Sequence, residues 1–177
     1  PSFLNRLPFA QRYYRYALPL YKRAIESFNL SEYEVVLSSS HAMASHVPTH
    51  QNQTHICYCH SPIRYAWDMM ETYLDSVRPH VMKEYVKRAL HSDLRSDLVG
   101  IDIVVVDPPR EGLDGAVIEA LLEMAPRKIL YISCNPKTQA EDLKGLAKAY
   151  RIDTLQPIDQ FPHTVHMENI ALLNFRA

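Results

Sequence analysis

The chain has 177 residues, 47% hydrophobic and 22% charged, with a formal net charge of −1. That composition suits one ordinary folded domain with a sizeable core, and it excludes a disordered chain and a global basic field for nucleic acid or acidic lipid. The three cysteines, the lack of a membrane-length apolar run and the lack of a secretory apolar core in PSFLNRLPFAQRYYRY point to a reducing cytoplasm and to no membrane partner.

The first residue is not Met, so the sequence reads as a piece of something longer. Residues 1–97 carry seven of the nine His and nine of the eleven Tyr, and all four glycines fall at 100, 112, 115 and 145. A nucleotide-binding α/β fold usually opens on a glycine-rich turn where backbone meets cofactor, and no such turn is present. The shift in composition near 94–101 marks a junction.

In chain order, Ala10–Phe28 reads as a helix, with Tyr14, Ala17, Leu18, Tyr21 and Ile25 on one face and Pro19 interrupting it. Glu34–Ser38 reads as a buried strand, and His55–His60 as a second one stopped by Ser61-Pro62. Residues 65–73 and 77–91 read as helices. Ile101–Val106 is a fully buried strand that Asp107-Pro-Pro ends. Asp114 caps a helix through Met124, which Pro126 stops. Lys128–Ser133 is the next strand, and Thr138 opens a helix through Tyr150. Two shorter strands follow near 154–158 and 169–175. Strands alternating with helices imply a parallel sheet with right-handed crossovers.

Ligands of open α/β sheets bind beyond the carboxyl ends of the strands. Asp107-Pro-Pro-Arg110, Ser133-Cys-Asn-Pro136 and Phe161–Glu168 fall there, offering a thiol and two carboxylates to one crevice. Taken singly, Cys134 reads as a small buried side chain, Asp107 as a turn former and Glu168 as a solvated charge. Their convergence at strand ends weighs against those readings. Arg110 suits an RNA phosphate or a pairing with Glu111 equally well.

The stretches DPPREGLD (107–114), SCNPKT (133–138) and IDQFPHTVHMEN (158–169) resemble, in order and spacing, three signature blocks of the RNA (uracil-5-)-methyltransferase family. The resemblance covers residues 98–177. It implies that the Cys134 thiolate adds to uracil C6 and that Glu168 is the general base at C5. It further implies that Asp107 is the strand-end carboxylate between S-adenosylmethionine and the target base, and that the partner is tRNA or rRNA. His163 and His166 would orient the loop around Glu168. The target uracil would be flipped out or lie in a loop.

Residues 33–74, above all HICYCHSPIRYAWD, resemble the N-terminal domain of nucleotide-sugar glycosyltransferases with two Rossmann-like domains. There His60 and Arg64 would meet an acceptor sugar. His41, His46, His50, His55, Cys57, Cys59 and His60 also cluster in sequence, but without ligand-pair spacing, and with Cys57 and Cys59 expected on opposite faces of a strand, so no metal site is expected.

The chain is thus read as two truncated α/β pieces, residues 1–97 and 98–177. An incomplete Rossmann-like parallel sheet, the C-terminal half of a class I methyltransferase, joins a partial Rossmann-like glycosyltransferase segment. Strands of the first piece are available to complete the sheet of the second. Three functional readings follow: uracil-5 methylation in RNA, glycosyl transfer with a donor domain from elsewhere, or an inert chimera.

Overall fold

The structure is a computed structural model, and it describes Leu4 and residues 18–39, 46–59, 100–160, 162–164 and 167–176. The expected helices at 65–73 and 77–91, the junction near 94–101 up to residue 99, and His41, His60, Arg64 and His166 lie outside these residues.

Helix α1 (Leu18–Glu26) is followed by β1 (Val35–Ser39), β2 (Thr54–Cys59), β3 (Ile103–Val106), α2 (Gly115–Met124), β4 (Lys128–Ser133), α3 (Pro136–Leu146), β5 (Tyr150–Ile158) and β6 (Glu168–Phe175). The strands form one six-stranded sheet in the order β1-β2-β3-β4-β6-β5. Strands β1 to β4 are parallel, with Val36 beside His55, Cys57 beside Val104 and Val104 beside Ile129. β6 runs antiparallel to both β4 and β5.

One expectation is corrected here. The sheet is mixed, not all parallel, because β6 returns between β4 and β5 and so reverses its direction. The strands before the junction join the sheet of those after it, since β2 pairs with β3 from Ile56 to Cys59.

The core lies between this sheet and the helix pair. Ile129, Tyr131, Leu146, Tyr150, Ala171 and Leu173 are almost wholly buried, and each large apolar side chain among them is worth about 1.5–3 kcal/mol of burial. Helix α2 begins as expected at Asp114, whose carboxylate accepts from the Ala116 N–H at 3.0 Å. Its partner α3 begins earlier than expected. Asn135 is the cap, Pro136 takes the first turn with its fixed φ, and Thr138 sits inside that turn. The two helices pack closely at Gly145, where an added Cβ would come 3.1 Å from Ile118 Cγ2. Tyr150 closes the core from below, donating to the Pro126 carbonyl at 2.9 Å and meeting the Phe175 ring edge-on at 5.4 Å.

β2 alternates with period two, which corrects the expectation for its thiols. Positions two apart in a strand share a face, so Cys57 and Cys59 lie on the same side as buried His55. The His55 Nε2 stands 2.9 Å from Ser38 Oγ, and its backbone N–H donates to Asp102 Oδ2 at 3.0 Å. Burial lowers the pKa of this ring, with the Asp102 carboxylate opposing. A histidine depressed in the fold stabilises it above its unfolded value, about 6.5, and that contribution is lost as pH falls. Urea midpoints measured from pH 7.5 down to 5.5 are therefore expected to drop, and His55→Leu to flatten that part of the slope. An unchanged slope in the variant would show that His55 takes no part in it.

Candidate functional site

Parallel pairing brings the carboxyl ends of β1 to β4 to one side, and the antiparallel return of β6 brings its first residue to the same side. Asp107 follows Val106, the last residue of β3, and Cys134 follows Ser133, the last of β4. Val106 pairs with Tyr131, so Asp107 is level with Ile132 and Cys134 stands two residues further out, about 7 Å along the strands. The ladder between β4 and β6 closes at Ser133 and Asn169. Cys134 is the next residue beyond that pair on β4 and Glu168 the residue just before it on β6, so both stand at this end of the ladder. Cys134 and Glu168 are both half-buried, whereas Asp107 and Arg110 are exposed.

The three loops are tied together by α3. Asn135 Nδ2 and Thr138 Oγ1 both donate to the Arg110 carbonyl, at 2.9 and 3.1 Å, which fastens the DPPR turn to the start of the helix. A turn later, buried Asp142 accepts from the Leu113 N–H at 2.8 Å and from the Tyr131 hydroxyl. Burial and that carboxylate push the Tyr131 phenol far up, so it stays a donor. Gly112 lies between, at φ +89°, where a Cβ would come 2.6 Å from Asp142 Oδ2. On the other flank, Gln139 Nε2 donates to the Tyr131 and Asn169 carbonyls, and Asn169 Nδ2 donates back to Gln139 Oε1. Residues 135, 138, 139 and 142 lie at i, i+3, i+4 and i+7, one face of a helix.

Asp107 has a partner that the sequence reading did not single out. Tyr58, at the end of β2, donates its hydroxyl to Asp107 Oδ2 at 3.0 Å, and that bond pushes the phenol pKa up. Tyr58 sits inside the HICYC run, where the cysteines and histidines drew the reading. Gln139 and Asp142 were missed too, since buried polar side chains inside a helix look like its solvent face until the partners are known.

Pro162, His163 and Thr164 are exposed. Cys57 is buried, and burial pushes the Cys59 thiol up to about 12, so both are held protonated. Among the described residues, no three His, Cys, Asp or Glu side chains gather as a metal-ligand set, and no helix is long and apolar enough to cross a membrane.

Fold and site together define an α/β unit with a thiol and two carboxylates at the strand ends of one mixed sheet. Comparison with known proteins makes this more specific. The sequence model of the tRNA (uracil-5-)-methyltransferase family matches residues 80–176, more than half of the chain. The chain belongs to that family, and its sheet is a Rossmann-like methyltransferase fold.

An uncharacterized RNA methyltransferase of Chlamydia trachomatis is 45% identical over 105 residues, 59% of this chain and 24% of that protein. One of Bacillus anthracis is 44% identical over 75 residues, 42% of this chain and 16% of that protein. The chain thus spans between 16% and 24% of the length of these two relatives. Among solved structures, the Pyrococcus abyssi tRNA (uracil-54, C5)-methyltransferase in complex with S-adenosyl-L-homocysteine is similar at 24% identity and a TM-score of 0.44. That match covers 89% of this chain and 38% of the other.

The family implies S-adenosylmethionine, and the described residues do not fit it. A cofactor of this kind lies where strand order reverses, against a glycine-rich turn. Here the order from β1 to β4 follows the chain without reversal. No glycine precedes Gly100 in the sequence.

Proposed function

We propose that Cys134 and Glu168 form the uracil-activating part of an RNA (uracil-5-)-methyltransferase site. The observation that supports this reading is the antiparallel β4–β6 register, whose last pair, Ser133 with Asn169, lies next to Cys134 on one strand and next to Glu168 on the other. C5 of uracil is a weak nucleophile. A Cys134 thiolate adding to C6 converts the 5,6-double bond into an enolate whose negative charge is available at C5. When C5 has taken up a new substituent, Glu168 removes the proton left there. The electron pair of that C–H bond then restores the double bond and expels the thiolate.

A thiol suits both halves of this cycle, because it adds as an anion and leaves as one. The methyl group of the overall reaction comes from S-adenosylmethionine, for which these residues supply no cradle. Asp107, held by Tyr58, would stand as the carboxylate on the donor side of the base. The substrate is a uridine in tRNA or rRNA, unstacked so that C6 reaches Cys134. The glycosyl-transfer reading gains no support from β1 and β2, which serve as two strands of this same sheet.

The test needs no methyl donor. Reversible addition at C6 lets C5 take a proton from solvent and lose its original one, so a uridine-containing RNA in D2O should gain deuterium at C5. The chain is expected to accelerate that exchange above the protein-free rate. Glu168→Gln is expected to slow it by about a hundredfold, the usual contribution of a positioned base. Exchange equally fast in Glu168→Gln would remove Glu168 from the base role.

A further inference from the structure

We propose that Gln139 is a positioning residue, clamping the first turn of β6 to β4 so that the Glu168 carboxylate is held opposite Cys134. This rests on the reading of those two residues as base and nucleophile. Gln139 is only 1% exposed on α3, and its whole amide is spent on this joint. Its Nε2 donates to the Tyr131 carbonyl of β4 at 3.0 Å and to the Asn169 carbonyl of β6 at 3.3 Å, while its Oε1 accepts from Asn169 Nδ2. The clamp acts where the ladder stops. Beyond the Ser133–Asn169 pair no further β4–β6 pair fixes the next residues, and those residues are Cys134 and Glu168.

A buried glutamine could serve stability alone, as Asp142 does on the other flank. The two amide partners distinguish them. Asp142 ties a loop to the helix, whereas Gln139 ties together the two strand ends that carry the reacting groups. Its loss should therefore misplace Glu168 relative to Cys134 without opening the sheet, which keeps its pairs from Lys128 to Ser133.

The first readout needs no catalysis. Two residues facing each other across the end of an antiparallel pair lie within disulfide reach, so the rate at which diamide joins Cys134 to the thiol introduced by Glu168→Cys, followed on the linked peptides by mass spectrometry, reports how well the two strand ends are held together.

Glu168→Cys is expected to form that disulfide. Adding Gln139→Met, similar in length and apolar, is expected to slow its formation more than tenfold, and Gln139→Met alone to slow C5 exchange more than tenfold. Asn169→Ala cuts the same clamp from the β6 side and decides the matter should Gln139→Met fail to fold. Disulfide formation as fast with both clamp substitutions as without them would overturn the inference. No disulfide between positions 134 and 168 in Glu168→Cys would overturn it too, by removing position 168 from the neighbourhood of Cys134. A disulfide that the clamp substitutions slow, in a protein whose wild type never exchanges C5, would sink the proposed function and leave the clamp standing.

Discussion

Cys134→Ala is expected to abolish uracil C5 exchange, lowering the rate by at least about a thousandfold, down to the protein-free value. The size follows from the chemistry. Without a nucleophile at C6 there is no enolate, and neither Glu168 nor any positioning group has a charge to work on. Effects of groups that act as a unit do not add, so Cys134→Ala and the double variant with Glu168→Gln are expected to be equally slow. The fold should be indifferent. Cys134 is half-buried at a strand end, and removing one sulfur there leaves the β4 ladder intact. Residual exchange above background in Cys134→Ala would mean that another nucleophile, or none, is involved. Cys57 and Cys59 are poor substitutes, since both thiols have raised pKa values in the interior of β2.

The second large effect is on stability. Asp142 is 8% exposed and accepts both the Leu113 N–H and the Tyr131 hydroxyl. Asp142→Ala would leave a buried amide and a buried phenol without acceptors, at about 1–3 kcal/mol each. Against a total of about 5–15 kcal/mol for a domain, a loss near 3 kcal/mol is expected to lower the urea midpoint markedly. Gly112→Ala attacks the same contact from the loop side. It forces a side chain into the positive-φ region and towards Asp142 Oδ2, at about 1–3 kcal/mol for the backbone strain alone. Both variants should release the DPPREGLD turn from α3, and urea titration followed by circular dichroism checks them. Wild-type midpoints in both would show that the latch is not what holds the turn.

The elements written in local pattern were legible. Lys128–Ser133 was read residue for residue, because an apolar run stops at a polar one and a proline follows. Asp114 announced its helix by being a capping residue before an apolar-periodic stretch. The start of α3 was misplaced from Asn135 to Thr138, since both residue types cap helices and only the side chain's partners tell them apart.

What the chain does not encode locally was missed. β5 and β6 have ordinary strand composition, and nothing in either states that β6 enters between β4 and β5 in the opposite direction. That one topological fact brings the start of β6, where Glu168 lies, to the end of β4 that Cys134 follows. An all-parallel sheet would instead place the start of that strand at the far end. The partner of Asp107 was hidden for a similar reason, because Tyr58 lies 49 positions earlier in the sequence. The roles assigned to Cys134, Glu168 and Asp107 came from the resemblance of three sequence blocks, which carried more than any spacing rule could.

The central claim is that Cys134 attacks uracil. The most direct measurement incubates the chain with an RNA containing 5-fluorouridine, whose fluorine makes C6 more electrophilic, then quenches in acid and maps the modified peptide by mass spectrometry. The expected result is one RNA adduct on the peptide carrying Cys134, absent in Cys134→Ala. An adduct on Cys57 or Cys59, one that survives Cys134→Ala, or none at all would contradict the account.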